Sequence, residues 1–452
     1  MNTVYGHTDA AAAAAGAPAR RYLAVRAQTV ALAAPLSEAD CQVQPMPDAS
    51  PTKWHLAHVT WFFETFLLER FEPHFKPYHP AYRVLFNSYY NGVGEQHPRT
   101  QRGLVTRPSL AEVLAWRQAV DERMLALLAN HPAPTVLEVL EVGLQHEQQH
   151  QELILTDLLY LLSCNPLSPV YRPRWPLALV SPAPPMAQRW VGLVAGQPAL
   201  SQAGHAGPGF AFDNETPRHP CLLHPYELAR RLVTHGEWLA FIDDGGYANP
   251  RWWLSAGWDW VRSQHIESPL YWRRVAHGSD AAICSNWQVF TLHGQVPLDP
   301  HTPITHISCF EADAFARWWS AQHPAQPAAR LPTEFEWEHA AQRYAEPALA
   351  AGNFLESGAL HPMPVAARFD GPLQLLGDVW EWTASSYAPY PGFQAWEGPV
   401  GEYNAKFMVN QTVLRGGSCA TPKSHIRTSY RNFFPTDTRW QFNGLRLARD
   451  AC

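Results

Sequence analysis

The sequence lacks the features that mark several common classes of protein. Its 452 residues carry a formal net charge of −6 with only 34 Lys and Arg, so no basic field marks a nucleic-acid binder. No apolar run approaches the 20 residues of a membrane span, and the alanine-rich residues 10–15 have no basic flank, which argues against a signal peptide. The seven cysteines are scattered without a CxxC pair, so we expect reduced thiols in a cytoplasmic protein.

The remaining composition favours a globular protein that acts on small molecules. A chain of this length exceeds the usual size of one hydrophobic core, so we expect two domains. Apolar residues make up 46% of it, and it contains 19 Trp and 41 Pro. This aromatic and proline content indicates at least one loop-rich core.

Hydrophobic periodicity predicts four helices in the first third of the chain. They cover about residues 20–33, 50–71, 109–130 and 135–162. Ser50 followed by Pro51 is typical of a helix start, and Ser109 with Glu112 forms a capping-box pattern. We therefore predict a disordered leader over residues 1–19 and an all-α four-helix bundle over residues 20–165.

The texture of the sequence changes after the fourth helix. Seven prolines lie between Pro166 and Pro185, which predicts an interdomain linker over residues 166–188. Beyond it, turn signals and short aromatic runs predict an irregular α+β domain over residues 189–452, with helices near residues 233–243 and 308–322.

The strongest chemical signal is a pair of histidines in the fourth predicted helix. His146 and His150 are four residues apart, which places both imidazoles on one helix face, where one metal ion reaches both. A facing helix of the bundle should supply a third ligand, and spacing alone leaves His55 and His58 as alternatives. Three imidazoles suit Zn or Fe(II). Glu152 points away from this face, so an indirect or surface role fits it better.

Several short motifs resemble one family, the ergothioneine-pathway sulfoxide synthases, with the closely related selenoneine synthases. These motifs are LAH at residues 56–58, FNSYY at 86–90, PRTQRG at 98–103, HEQQHQE at 146–152, DNETP at 213–217, RLPTEFEWE at 330–338, GDVWEWT at 377–383 and LRGGS at 414–418. The resemblance implies a DinB-like bundle followed by a formylglycine-generating-enzyme-like domain of C-type-lectin-like fold.

The resemblance also implies the chemistry. It selects His58 as the third ligand and implies an Fe(II) centre that uses O2 to join sulfur to C2 of the imidazole of hercynine, the betaine of histidine. Tyr89 and Tyr90 lie in a matching segment, and one of them is expected to donate a proton or hydrogen bond at the site. Plain packing is the alternative for both rings.

The resemblance further implies residues that bind the substrates. Gln149 is expected to seat hercynine, and Asn432 with Phe433 to contact its betaine, where the ring of Phe433 would meet the trimethylammonium group. Structural roles are the alternatives for all three. A donor that carries a carboxylate needs a cation, for which Arg83 is the first candidate. The further candidates are Arg99, Arg102 and Arg107.

The identity of the donor and the class of enzyme have alternatives. No acidic residue stands around Phe434, so the resemblance favours free cysteine over γ-glutamyl-cysteine, and a selenosugar remains open. A Zn-dependent thiol transferase of the DinB-like type is an alternative of another class, and a non-catalytic binding protein is a third. Copper-dependent cysteine oxidation is not expected, because His425 and Tyr430 stand where that chemistry needs two cysteines.

Overall fold

The structure, a computed structural model, describes residues 16–129, 132–173, 189–274, 287–365 and 369–451. These form two compact units: unit 1 is Met1–Cys164 with the later segment Glu397–Tyr403, and unit 2 is Asn165–Trp396 with Asn404–Cys452. Most of the predicted leader, residues 1–15, and of the predicted linker, residues 174–188, lies outside the described residues.

Unit 1 is helical from its first described residues. Its α-helices are α1 (Ala17–Ala33), α2 (Glu38–Gln42), α3 (Thr52–Phe63), α4 (Glu69–Phe71), α5 (Tyr82–Leu85), α6 (Leu110–Ala129) and α7 (Pro134–Ser163). A π-helical turn, Glu64–Leu68, joins α3 directly to α4, and Arg99–Leu104 is a 3₁₀ helix. The four long helices α1, α3, α6 and α7 correspond to the four predicted ones and confirm the all-α bundle.

The observed ends of these helices agree with the sequence signals at some positions and differ from them at others. Helix α1 begins at Ala17, three residues before the predicted start, because Pro18 fits the first turn of a helix. Pro51 rather than Ser50 occupies the N-cap position of α3. Ser109 caps α6 as predicted, since its hydroxyl accepts from the backbone of Glu112 at 3.2 Å and its backbone donates to that carboxylate at 2.7 Å.

The four long helices meet at one buried carboxylate, that of Glu147 on α7. Arg26 of α1 donates to it at 3.0 Å, and Arg117 of α6 forms a second ion pair with it. Both guanidinium groups also donate to the hydroxyl of Thr60 on α3. Burial raises the pKa of Glu147, but the Arg117 and Arg26 charges outweigh burial and lower that pKa to about 2. The carboxylate is therefore ionised at neutral pH, and its charge is compensated inside the protein.

Helices α3 and α7 approach each other closely at a glycine. A Cβ atom on Gly143 would lie 2.6 Å from the ring of Phe63 and 3.1 Å from that of Phe62. Glycine inside a helix is ordinarily unfavourable by about 1 kcal/mol relative to alanine. Here the missing side chain lets the two helices pack together one turn before His146.

Unit 2 combines short helices with small sheets. Its α-helices are α8 (His235–Asp243), α9 (Ser255–Gln264), α10 (Cys309–Gln322), α11 (Glu334–Arg343) and α12 (Ala345–Ala351). Its strands are β1 (Trp190–Val194), β2 (Ala199–Ala203), β3 (His219–Leu223), β4 (Tyr226–Ala229), β5 (Trp272–Arg274), β6 (Trp287–Thr291), β7 (Gly294–Pro297), β8 (Ala329–Arg330), β9 (Trp380–Ser386), β10 (Thr412–Arg415), β11 (Asn432–Phe434), β12 (Asn443–Gly444) and β13 (Ala448–Asp450). The irregular α+β character is thus confirmed.

Four sheets organise these strands. Two have four strands each, in the orders β1-β4-β13-β8 and β11-β10-β9-β12, and all of their pairs are antiparallel except β9 with β12. Strands β2-β3 and β5-β6-β7 form smaller antiparallel sheets. Helices α8 and α10 match the two predicted helices, whereas α9, α11 and α12 were not predicted.

Two general properties of the described residues complete the fold. Their five cysteines are all free thiols, while Cys284 and Cys452 lie outside them. None of the described helices combines the length and the apolar character that crossing a membrane requires.

The close approach at Gly143 leads to a stability prediction. We expect Gly143→Ala to lower the free energy of unfolding by about 1–3 kcal/mol, because the methyl group must displace the Phe63 ring in a packed core. Helix propensity alone predicts the opposite sign. Denaturant unfolding of Gly143→Ala, Phe63→Leu and the double variant measures the effect. The double variant should be more stable than the sum of the single changes allows, and a stabilised Gly143→Ala would contradict the packing argument.

Candidate metal centre

Three buried histidines converge between α3 and α7. His58, His146 and His150 each place one ring nitrogen so that the three nitrogens lie within 4.8 Å of one another. In the part of the chain that the structure describes, this is the only group of three or more His, Cys, Asp or Glu side chains close enough to hold one metal ion. Glu152 is not part of it.

Both His58 and His146 have a nitrogen lone pair available to a metal ion. Nδ1 of His58 lies 2.7 Å from the backbone oxygen of Phe86, so Nδ1–H donates and Nε2 carries the lone pair. That Nε2 atom, and both ring nitrogens of His146, are buried without a hydrogen-bond partner among the described residues. Buried nitrogen atoms without partners are unusual, and a metal ion at this point would satisfy one nitrogen of each ring.

The third histidine has a different environment. Nδ1 of His150 lies 2.8 Å from Nδ1 of His55, and Nε2 of His55 lies 3.1 Å from the Asp157 carboxylate. His55, the alternative candidate from the sequence, therefore contacts His150 rather than joining the group of three.

The protonation states suit metal binding. Burial, followed by the neighbouring imidazoles, holds the pKa of His58 and of His150 well below the usual 6.5. Burial likewise lowers the pKa of His146 to about 3, despite the nearby charge of Glu147. All three rings are therefore neutral at pH 7, which is the state that coordinates a metal ion.

Aromatic rings and one arginine surround His58. Trp54 and Trp61 stack on it, with ring centroids at 4.6 and 5.5 Å. The Arg102 guanidinium lies 3.4 Å from the Trp54 ring centroid and donates to the hydroxyl groups of Ser50 and Ser88 at 2.9 Å. Arg102 is buried, forms no ion pair with any described residue, and has a pKa lowered to about 9 by burial and then by Arg99. This region thus holds a buried positive charge that makes no contact ion pair with a described carboxylate.

A residue far along the sequence also reaches this centre. Tyr403, in the segment Glu397–Tyr403 of unit 1, donates a hydrogen bond to the amide oxygen of Gln149. Its ring lies edge-on to that of His146, with centroids 5.6 Å apart. The neighbouring Glu402 accepts hydrogen bonds from the backbone of Asn91 and Gly92 at 3.0 and 2.6 Å, which anchors the segment.

The tyrosines predicted from the sequence differ in position. Tyr90 is fully buried and packs against Trp61 and Phe66, with centroid distances of 5.5 and 5.2 Å. Tyr89 is half-buried, stacks on Tyr90 at 4.7 Å and lies edge-on to Tyr403 at 6.4 Å. Tyr90 is therefore embedded in the core, whereas Tyr89 lies beside the tyrosine that contacts Gln149.

The other predicted binding residues have different local surroundings. The Arg83 side chain is 45% exposed and forms an ion pair with Glu69. Asn432 and Phe433 belong to β11 of unit 2, where Phe433 stacks on Tyr387 with centroids 4.0 Å apart and planes at 10°. The side-chain oxygen of Asn432 accepts from the backbone N–H of Phe433 at 2.9 Å.

Comparison with known proteins gives matches over both units. Residues 21–154 match the DinB superfamily, and residues 178–362 and 369–451 match the sulfatase-modifying factor enzyme 1-like domain. The hercynine oxygenase of Mycolicibacterium thermoresistibile is 33% identical over 96% of this chain and 94% of its own. That of Mycobacterium tuberculosis is 33% identical over 92% and 94%. Ergothioneine biosynthesis protein 1 of Schizosaccharomyces pombe is 26% identical over 53% of this chain and 28% of its own.

These matches agree with the resemblance carried by the motifs in both halves of the sequence. They extend over nearly the whole length of the chain and of the bacterial relatives. The chain therefore belongs to the hercynine oxygenase family, with a DinB superfamily domain followed by a sulfatase-modifying factor enzyme 1-like domain.

Proposed function

We propose that the chain is an Fe(II)- and O2-dependent oxidoreductase that joins the sulfur of cysteine to C2 of the hercynine imidazole. The observation that carries this proposal is the group formed by His58, His146 and His150. Three neutral nitrogen ligands leave the charge of a divalent ion uncompensated, which favours a bound thiolate over a thiol. Hercynine is proposed as the substrate because the relatives carry the name hercynine oxygenase.

When bound, the metal ion would supply binding positions for O2 and the donor sulfur and would relay electrons from the two organic substrates to O2. In the overall reaction, the C2–H bond of hercynine and the S–H bond of cysteine break and a C–S bond forms. One oxygen atom of O2 goes to the sulfur, and the other leaves as water with the two hydrogens. The residues of the chain must therefore orient two organic substrates and move protons.

Tyr403 is the best-placed group to handle a proton. Its phenol donates to Gln149 beside His146, and the anchored Glu402 holds the segment in place. Tyr89 lies next to it, so we assign the proton role predicted for the tyrosine pair to Tyr89 and Tyr403 rather than to Tyr90. Gln149, fixed by the same hydrogen bond, would seat hercynine.

Arg102 is the best-placed cation for the donor's carboxylate. Its charge is buried and has no ion-pair partner among the described residues, and it lies over Trp54, which stacks on His58. Arg83, the first candidate from the sequence, already pairs with Glu69 at the surface. A carboxylate beside Arg102 would form the contact ion pair that no described carboxylate makes with it.

Phe433 in unit 2 is proposed to contact the trimethylammonium group of hercynine. Its ring is half-buried and stacks on Tyr387 and, at a longer distance, on Phe407, which fixes its orientation. Cation–π attraction to such a ring contributes roughly 0.5–2 kcal/mol. The adjacent Asn432 is proposed to contact the same betaine.

A metal and oxygen assay tests the central proposal. Purified protein loaded with Fe(II) should convert hercynine and cysteine in air and should be inactive without O2. His146→Ala should lose both metal binding and turnover, because two imidazoles remain where three are needed. γ-Glutamyl-cysteine and a selenosugar are offered in parallel, and mass spectrometry identifies the product. Turnover with the selenosugar alone would assign selenium chemistry, whereas stoichiometric Zn with turnover that ignores O2 would favour a thiol transferase.

Phenylalanine substitutions separate the tyrosines. We expect Tyr403→Phe to lower kcat by about 10²–10⁴-fold, the usual contribution of a positioned proton donor. Tyr89→Phe should lower kcat to a smaller extent. Tyr90→Phe keeps the packed ring and should change kcat by less than about threefold. A large loss of kcat in Tyr90→Phe, with kcat retained in Tyr403→Phe, would assign the proton role to Tyr90 instead. The KM for hercynine, measured alongside, reports whether Gln149 keeps its position.

Arginine substitutions test the binding of the donor. Arg102→Lys should raise the KM for cysteine by about 10–100-fold, because the point charge of lysine cannot replace a planar guanidinium held by two hydroxyl groups. Arg83→Lys is the matched surface control and should leave KM within about twofold. If Arg83→Lys shows the larger increase in the KM for cysteine, Arg83 rather than Arg102 binds the carboxylate of the donor. The KM for hercynine should be unchanged in both variants.

A further inference from the structure

A chain of hydrogen bonds extends outward from one of the three histidines. From the Asp157 carboxylate it runs 3.1 Å to Nε2 of His55, and from Nδ1 of His55 it runs 2.8 Å to Nδ1 of His150. We propose that His55 and Asp157 are positioning residues that fix the tautomer and the ring orientation of His150 as a metal ligand. This inference rests on the proposed metal site, which it deepens.

The positions of the hydrogens in this series of hydrogen bonds follow from the groups at its two ends, His150 and Asp157. When Nε2 of His150 binds a metal ion, its only hydrogen is on Nδ1, which must donate. Nδ1 of His55 must then accept, so the hydrogen of His55 is on Nε2, where it donates to an oxygen of the Asp157 side chain. Each donor thus meets an acceptor, and only one arrangement of hydrogens satisfies all the atoms.

Asp157 is itself held in place. It follows His150 by seven residues on α7, about two helical turns, and the backbone N–H of Ser50, just before α3, donates to the same carboxylate oxygen at 2.8 Å. His55 is 2% exposed and lies on α3. The hydrogen bonds of His55 and Asp157 therefore connect the two helices that carry the three histidines.

The other two ligands have different outer contacts. His58 donates to a neutral backbone carbonyl, and the ring nitrogens of His146 have no hydrogen-bond partner among the described residues. Only for His150, among the described ligands, does a hydrogen-bond chain end in a carboxylate. A carboxylate behind an imidazole raises its basicity as a ligand, so we infer that His150 is the strongest donor of the three.

Metal affinity measured on the full chain tests this inference. Co(II) serves as the probe, and competition with a chelator gives its dissociation constant. We expect His55→Leu to weaken Co(II) binding by about 10–100-fold, because Nδ1–H of His150 is left buried without an acceptor. His55→Asn retains an oxygen near the position of Nδ1 and should recover most of the affinity. Asp157→Asn removes the charge but keeps an acceptor, so a loss of about 3–10-fold is expected.

A spectroscopic signature separates positioning from a general structural effect. The Nδ1–H proton of a histidine bound to Co(II) gives a strongly shifted NMR signal, and a hydrogen-bonded proton exchanges slowly with water. Wild type and His55→Asn should show two such slow signals, one from His58 and one from His150, whereas His55→Leu should keep only the signal of His58. Thr156→Val is the matched control, since Thr156 is also buried, follows Leu155 on α7 and donates to the backbone oxygen of Leu153 at 3.1 Å. It should lose stability without losing affinity.

The outcomes distinguish the positioning role of His55 and Asp157 from the existence of the metal site. Wild-type affinity and an unchanged slow signal of His150 in His55→Leu would overturn the positioning role, even when His146→Ala has lost the metal. Wild-type affinity in His146→Ala would instead overturn the metal site itself. If thermal melting shows that His55→Leu does not fold, the test relies on Asp157→Asn. Unchanged Co(II) affinity together with an unchanged Nδ1–H signal of His150 in that variant would contradict the inference.

Discussion

The geometry of the helical unit depends on the buried carboxylate of Glu147. It follows His146 directly along α7, and its ion pairs with Arg26 and Arg117 bring α1 and α6 to the same point. Thr60 adds α3 through its hydroxyl group. Removing one partner from such a group would leave a buried charge, at a cost of about 3–5 kcal/mol. The rotation of α7 is therefore strongly constrained, and with it the direction of the histidines on its neighbouring face.

Much of the helical unit was predictable because its signals are local. Periodicity located the four long helices to within a few residues, and the Ser109–Glu112 capping box gave the start of α6. The pair His146 and His150 required only helix geometry. The choice between His55 and His58 did not follow from spacing, because both lie on α3 and both contact residues of α7. The distinction depends on which ring joins His146 and His150 and which contacts Asp157. Only the resemblance, and then the three-dimensional positions, separated them.

Tyr403 could not have been predicted from its surroundings in the sequence. It carries no motif, and 254 positions separate it from Gln149, which it contacts. Such a contact depends on the path of the whole chain between them. In unit 2, helix α11 begins with a capping box of Thr333 and Glu336, a local signal that was present but was overlooked in a region rich in turns.

Several motifs of unit 2 supply buried ion pairs rather than reactive groups. Arg415 pairs with Glu338, and Arg446 pairs with Glu381 at 2.9 Å, all four side chains being fully buried. Glu338 and Glu381 come from two of the motifs that carry the family resemblance, and Arg415 from a third. In a domain of short strands and long loops, such pairs fix segments that regular secondary structure does not. The motifs therefore identify the fold of unit 2, and the chemistry must be argued from unit 1.

The distribution of charge in unit 1 explains why its histidines form a neutral ligand set. Glu147 is adjacent to His146, yet two arginines compensate its charge, so it does not serve as a ligand. In the proposed arrangement Asp157 contacts His150 through His55, and it would strengthen one imidazole without adding an anion to the metal. Arg102, by contrast, remains a buried positive charge without an ionic partner among the described residues. A metal ion bound here would keep its own charge and have a cation beside it, so both features favour anionic substrates such as a thiolate that carries a carboxylate.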